Sequence, residues 1–260
     1  MWIICFIVFV FFIGYSPLVV RRYHMISSKV NHLKIILISD LHGSFYGKKQ
    51  EKLICKIKRE NPDVILFAGD MIDEKHDIKS FELLLEGLDG YLCYFIFGNH
   101  EMRTHRYREI LDLLKKYSVH LLKETYQEKR INDSHIIFSG IDDCHAFVAV
   151  EDYQKTLGYL DNCLDYDRFS ILLSHRPYFI EDYVKTHFDL IVCGHSHGGQ
   201  WRIPFILNGV YAPYEKFFPK YAGGKYELDG STMIVSRGMA KNMIPRFFNP
   251  PELVVIHINE

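Results

Sequence analysis

Apolar residues fall along this chain in three patterns. From Trp2 to Val20 the sequence reads WIICFIVFVFFIGYSPLVV, with no charged side chain. About 19 residues at 1.5 Å rise reach about 28 Å, close to a hydrocarbon core of ~30 Å. The run therefore predicts a membrane-spanning helix, an anchor at 1–22 and one further domain at 23–260. A cleaved signal peptide is the weaker alternative, because no Lys or Arg precedes the run and no small-x-small site follows it. Arg21 and Arg22 come next, with Lys29 and Lys34 soon after. The positive-inside bias then assigns a single-pass protein of the cell membrane whose main domain is cytoplasmic.

The second pattern is a set of short, nearly continuous apolar runs: Leu33 to Ser39, Val64 to Ala68, Tyr91 to Phe97, Ser170 to Ser174 and Leu190 to Cys193. Such runs suit strands covered on both faces. The third is apolar residues at helical spacing, in Lys48 to Glu60, Lys79 to Leu88 and Tyr107 to Tyr117, as with Ile110, Leu111 and Leu114. Strands interleaved with helices give an α/β fold. His135 to Ile141, Ser231 to Ser236 and Leu253 to Ile258 form a second strand-rich group, expected to build another sheet. Residues 201–225, rich in Pro, Gly and aromatics, lack periodicity and predict a long ordered loop packed on its own core.

Composition narrows this picture. Lys plus Arg number 31 and Asp plus Glu 32, so no global basic field marks a nucleic-acid binder. Outside the anchor lie five cysteines, Cys55, Cys93, Cys144, Cys163 and Cys193, an odd number without close pairing. Buried thiols in a reducing compartment explain them better than a disulfide framework. No sequence feature calls for an obligate protein partner.

The informative residues stand where the five apolar runs end. They are Asp40 and His42, Gly69-Asp70, Gly98-Asn99-His100, His175, and Gly194-His195-Ser196-His197. Sites in open α/β sheets form outside the carboxyl ends of strands, and five such ends can converge on one crevice. Any single piece has an ordinary explanation as a turn or capping residue; the ordered set does not. Imidazole and carboxylate without Cys suit Mn, Fe, Zn or Co. Two Asp, four His and one Asn taken as ligands, seven in all, exceed what one ion with an open position uses, and a carboxylate can bridge two ions roughly 3.5–4 Å apart.

These motifs resemble those of the calcineurin-like metallophosphoesterases: Asp40-x-His42, Gly69-Asp70-x-x-Asp73, Gly98-Asn99-His100-Glu101, a lone His175, and Gly194-His195-x-His197. Gly194 to Gln200, Ser236-Arg237-Gly238, Arg246-Phe247-Phe248 and Pro250-Pro251-Glu252 are similar to elements of its membrane-associated bacterial branch. The resemblance implies a two-sheet mixed β-sandwich flanked by helices and two divalent metal ions. Asp40, His42 and His197 would hold one ion, Asn99, His175 and His195 the other, with Asp70 bridging. It further implies a phosphodiesterase working by in-line attack of a metal-bridging hydroxide, with His100 as general acid. Asp73 either orients His100 or caps a helix, and Glu101 is expected to cap the helix that follows it. A pyrophosphatase acting on a lipid-linked substrate such as UDP-2,3-diacylglucosamine is the rival activity, and a non-catalytic scaffold the rival class. The implied partners are a phosphodiester or lipid-linked phosphate and the membrane. A connector shorter than usual between anchor and first strand departs from the family. Asp142, Asp143 and His145 stay outside the expected site. The aromatic loop has a second reading, as a surface leaning on the membrane interface.

Overall fold

The computed structural model describes residues 17–203, 205–212, 215–241 and 246–260. Fourteen strands and six α-helices follow one another along it. They are β1 Val19–Ile26, β2 His32–Ile38, α1 Glu51–Glu60, β3 Val64–Ala68, α2 Lys79–Gly87, β4 Cys93–Ile96, α3 Asn99–Arg103, α4 Tyr107–Lys116, β5 His120–Leu121, β6 Thr125–Ile131 and β7 Ser134–Ile141. The second half holds α5 Val150–Asn162, β8 Phe169–Ser174, α6 Ile180–Tyr183, β9 Leu190–Cys193, β10 Tyr211–Ala212, β11 Lys216–Phe217, β12 Gly224–Glu227, β13 Thr232–Val235 and β14 Glu252–Asn259.

Two six-stranded sheets carry the fold, in the orders β1-β14-β2-β3-β4-β5 and β12-β13-β9-β8-β7-β6. Each has a parallel centre, β2 to β5 in one and β7, β8, β9 and β13 in the other. The period of two within each strand explains the continuous apolar runs. In β3, Val64, Leu66 and Ala68 join the core between the sheets, whereas Ile65 and Phe67 face a second core beneath α1, α2 and α4. On the far side, Leu172, Ile191 and Val235 pack with Tyr153, Leu157 and Leu160 of α5. The layers are therefore helices, sheet, sheet, helices. Residues four apart, such as Leu53 and Ile57 of α1, supply the buried helix faces.

Two expectations about the sheets change. The five chemistry-bearing runs do not share a sheet: β2, β3 and β4 lie in one, β8 and β9 in the other. β14, grouped by sequence with β7 and β13, instead pairs antiparallel with β2. Runs covered on both faces look alike in sequence, and only pairing distinguishes them.

The N-terminal boundary moves as well. Residues 1–16, which hold most of the segment read as an anchor, lie outside the described residues. Val19 to Arg22 are strand rather than helix, since β1 pairs parallel with β14 from Val19↔Glu252 onward. The apparently short connector is thus itself an edge strand. Among the described residues no helix is long and apolar enough to cross a membrane. The loop at 201–225 contains one two-stranded ribbon, β10 with β11. It does not bury its aromatics as expected: strands of two residues give them no layer to pack against, and Phe205, Phe217 and Phe218 are exposed.

Candidate metal centre

The carboxyl ends of β2, β3, β4, β8 and β9 meet at one edge of the sandwich. Asp40, His42 and His197 bring one ligand atom each within 4.8 Å of one another, as do Asp70, His175 and His195. Across the two groups, His42 Nε2 stands 3.7 Å from Asp70 Oδ2, and His175 Nε2 stands 3.1 Å from the same oxygen. All six are buried. Asn99 is buried between them in sequence order, and its Oδ1 has no hydrogen-bond partner.

Backbone geometry aims these side chains. Asp40, His42, Asp70, His195 and His197 all have φ between 44° and 68°. Asp and His enter this left-handed region more readily than bulky or branched residues, yet each instance costs of order 1–3 kcal/mol. Surrounding contacts hold it. The His195 N–H donates to both Asp40 carboxylate oxygens at 3.0 and 3.1 Å, and the His100 N–H donates to Asp70 Oδ1 at 2.9 Å. Gly98 is required by space: a Cβ there would sit 2.2 Å from Asp70 Oδ1 and 2.6 Å from Asp70 N.

Glu101 does more than cap α3. Its carboxylate accepts the N–H groups of Gly98 (2.9 Å), Asp70 (2.8 Å) and Ile72 (3.0 Å), tying the loop after β3 to the loop after β4. Burial, reinforced by the nearby Asp70 carboxylate, pushes its pKa up to about 7 against the Ile72 and Asp70 donors. Asp73 does not reach His100. It accepts from the His76 N–H and ring, and lies 3.6 Å from His42 Nδ1. Glu74 takes the expected place, with Oε2 2.7 Å from His100 Nδ1. Motif spacing could not separate two adjacent acids on a bend.

Burial works against charge on every group here, and neighbours decide the outcome. Asp70 is held well below the usual carboxylate range because His175 and His42 outweigh its burial. His175 is raised to about 10 by Asp70 and Asp40 in spite of burial. Burial dominates at His195 and His197, which are pushed well below the usual histidine value and so stay neutral. Buried carboxylates that draw positive charge, neutral imidazoles and an unsatisfied amide oxygen fit divalent cations of the borderline class.

The C-terminal segment clasps this edge, which spacing alone did not show. Asn249 Nδ2 donates to the carbonyls of His197 (2.7 Å) and Gln200 (3.2 Å), and Arg246 donates to the carbonyl of Arg237 (2.7 Å). Tyr46 donates to the Met239 carbonyl at 2.5 Å. Asp143, Cys144 and His145 form a separate group beside the site, where Asp143 pairs with the buried Arg176. Arg176 also contacts Tyr178, whose ring lies 6.0 Å from that of His195.

Comparison with known proteins follows the same line. Residues 33–199 match the calcineurin-like phosphoesterase family. The chain belongs to that family. An uncharacterized metallophosphoesterase of Campylobacter jejuni is 29% identical over 232 residues, which are 87% of this chain and 59% of that protein. A Bos taurus protein named a transmembrane protein with metallophosphoesterase domain is 30% identical over 240 residues, 85% of this chain and 52% of that protein. The chain thus spans little more than half the length of these relatives. Among solved structures, the NAD nucleotidase of Haemophilus influenzae superposes with a TM-score of 0.52 at 17% identity, covering 81% of this chain and 45% of that one. That likeness concerns the fold alone.

Proposed function

We propose that this phosphoesterase hydrolyses phosphodiester bonds with two divalent cations. Asp40, His42 and His197 would hold one, and Asn99, His175 and His195 the other, with Asp70 placed between the two groups. The observation that carries the reading is Asp70 Oδ2, buried within 3.7 Å of His42 and 3.1 Å of His175, with His195 Nδ1 a further 3.2 Å from His175 Nε2. Divalent cations bound there supply Lewis-acid polarisation of a phosphoryl oxygen and an acidified water. His100 stands at the rim, partly exposed, its backbone fixed by Asp70 and its Nδ1 by Glu74. That carboxylate sets the tautomer and ring orientation, which leaves Nε2 to pass a proton to the leaving oxygen. Asp73 steadies His42 from behind.

The same reading attaches the protein to the cell membrane through the apolar stretch before β1, with Arg21 and Arg22 on the cytoplasmic side. The uncharged apolar residues from Trp2 to Leu18, the part not claimed by β1, support that attachment. The transmembrane Bos taurus relative supports attachment.

Metal analysis of the Asp70→Ala and His195→Ala chains, with turnover of a nitrophenyl phosphodiester and the matching monoester, tests this. The native chain should bind divalent ions and prefer the diester, and both substitutions should remove metal and turnover together. Turnover retained by Asp70→Ala refutes the centre, and a monoester preference refutes the diester assignment.

A further inference from the structure

Next to the metal centre, large apolar side chains on either side of the ribbon of β10 and β11, and on Phe248, face water. Phe205 is fully exposed and Ile206 81% exposed, followed by Phe217 (67%), Phe218 (64%), Phe248 (52%) and Trp201 (39%). Contiguous apolar area of this kind on a protein surface marks a contact with something else. Backbone bonds tie together the segments that carry these residues: the Arg202 N–H donates to the Phe247 carbonyl (3.0 Å), Val210 N–H to Trp201 (2.8 Å), Phe218 N–H to Val210 (2.9 Å) and Ile203 N–H to Leu207 (3.1 Å). The Trp201 and Phe247 rings lie 6.5 Å apart, and Tyr211 and Phe217 5.8 Å apart. The Asn249 amide joins this surface to the carbonyl of His197.

Two further observations say what covers it. The chain enters the described structure here, since the Val19 N–H donates to the Pro251 carbonyl at 3.0 Å, close behind Phe248 in sequence. The uncharged stretch from Trp2 to Leu18 therefore joins the domain at the edge that bears both the patch and the metal ligands. The patch is also basic. Lys216 and Lys220 are exposed beside Phe217 and Phe218, with Glu215 half-buried, in a chain whose net charge is −1.

We infer that Trp201, Phe205, Ile206, Phe217, Phe218 and Phe248 form an interfacial surface that lays the mouth of the metal centre against an anionic lipid bilayer. The aromatic side chains enter the headgroup layer, and Lys216 and Lys220 meet its anionic groups. Trp and other aromatic rings favour that layer, and each nearby Lys adds to binding on anionic lipid. The inference rests on the membrane attachment proposed above and is independent of which phosphoester is cleaved.

Position-sensitive quenching tests it on the full chain. A Trp2→Phe substitution leaves Trp201 as the remaining tryptophan of the two. The protein is placed in phosphatidylcholine vesicles containing phosphatidylglycerol, and flotation reports attachment separately. Brominated lipid should remove most of the Trp201 emission, and aqueous iodide should remove little. Replacing phosphatidylglycerol by phosphatidylcholine should weaken the lipid quenching. A second reporter, Phe218→Trp with Trp2→Phe and Trp201→Phe, should behave alike, with native metal content as the folding control. Floating protein whose reporters are open to iodide and indifferent to brominated lipid overturns the inference while leaving attachment intact. Shielding from both quenchers overturns it too, in favour of coverage by the N-terminal stretch, or by a second copy if shielding varies with protein-to-lipid ratio. Protein that does not float refutes the attachment itself and, with it, the inference.

Discussion

Asp142, at the end of β7, offers a stability experiment that does not pass through the metal ligands. Its side chain is fully buried; Oδ1 accepts the Phe97 N–H at 3.0 Å, and Oδ2 has no hydrogen bond, with Lys123 Nζ 4.0 Å away. Burial outweighs both the amide and Lys123 and pushes the carboxyl up to about 7 from 3.8. Between those two values the folded protein keeps a proton that the unfolded chain has released. Stability therefore falls as pH rises through this window and stays reduced above it. Roughly three pH units at 1.36 kcal/mol each make this about 4 kcal/mol at pH 8. Asp142→Asn keeps an acceptor for Phe97 and removes the ionisation. Thermal unfolding of both proteins in one detergent, at pH 4 and pH 8, should show near-equal melting temperatures at the acid end. At pH 8 the variant should melt on the order of 10 °C higher. An advantage that does not grow between the two pH values would mean that the carboxylate is ionised and satisfied in the folded protein, and the burial argument would fail.

Two substitutions address the site directly. Gly98→Ala drives a methyl group into Asp70 Oδ1 and, less yieldingly, into Asp70 N. Displacing a ligand by about 1 Å should lower turnover about 10²-fold or more and reduce bound metal, with far-UV circular dichroism unchanged; full activity would show that the loop after β3 can yield. Glu74→Gln keeps a hydrogen-bond partner for His100 without the charge and should lower kcat about tenfold at native metal content, whereas loss of metal would place Glu74 among the ligands.

Where the candidate residues stand could be read from the sequence because each expected ligand is a short step beyond an apolar strand. β2, β3 and β9 stop where the runs Leu33 to Ser39, Val64 to Ala68 and Leu190 to Cys193 stop, to within one residue. The division of strands between sheets was hidden, since Ile65 and Leu66 meet different cores while both look simply apolar. The start of β1 was hidden for a related reason: Val19 and Val20 continue the composition of the preceding run. Pro17 was the available signal, because proline breaks a helix and commonly precedes a strand. Contacts across long sequence distances, such as Asn249 to His197, left no local pattern. The exposure of Phe217 and Phe218 was unreadable because aromatic richness describes a packed loop and a bare one equally well.

Asp70 and His175 come from different sheets and stand 3.1 Å apart. The apolar core between those sheets holds them together without fixing their register, since such contacts are not directional. The proposed ligation, shared between the two edges, would add a directional tie, equivalent to a cross-link that closes only when every ligand atom is in place. Ions that bind this arrangement and not the unfolded chain raise its stability with their concentration. Chelation should then loosen one half of the sandwich from the other, broadening the melting transition as well as lowering it, so the proposed centre would act as a fastener of the fold in addition to its chemistry.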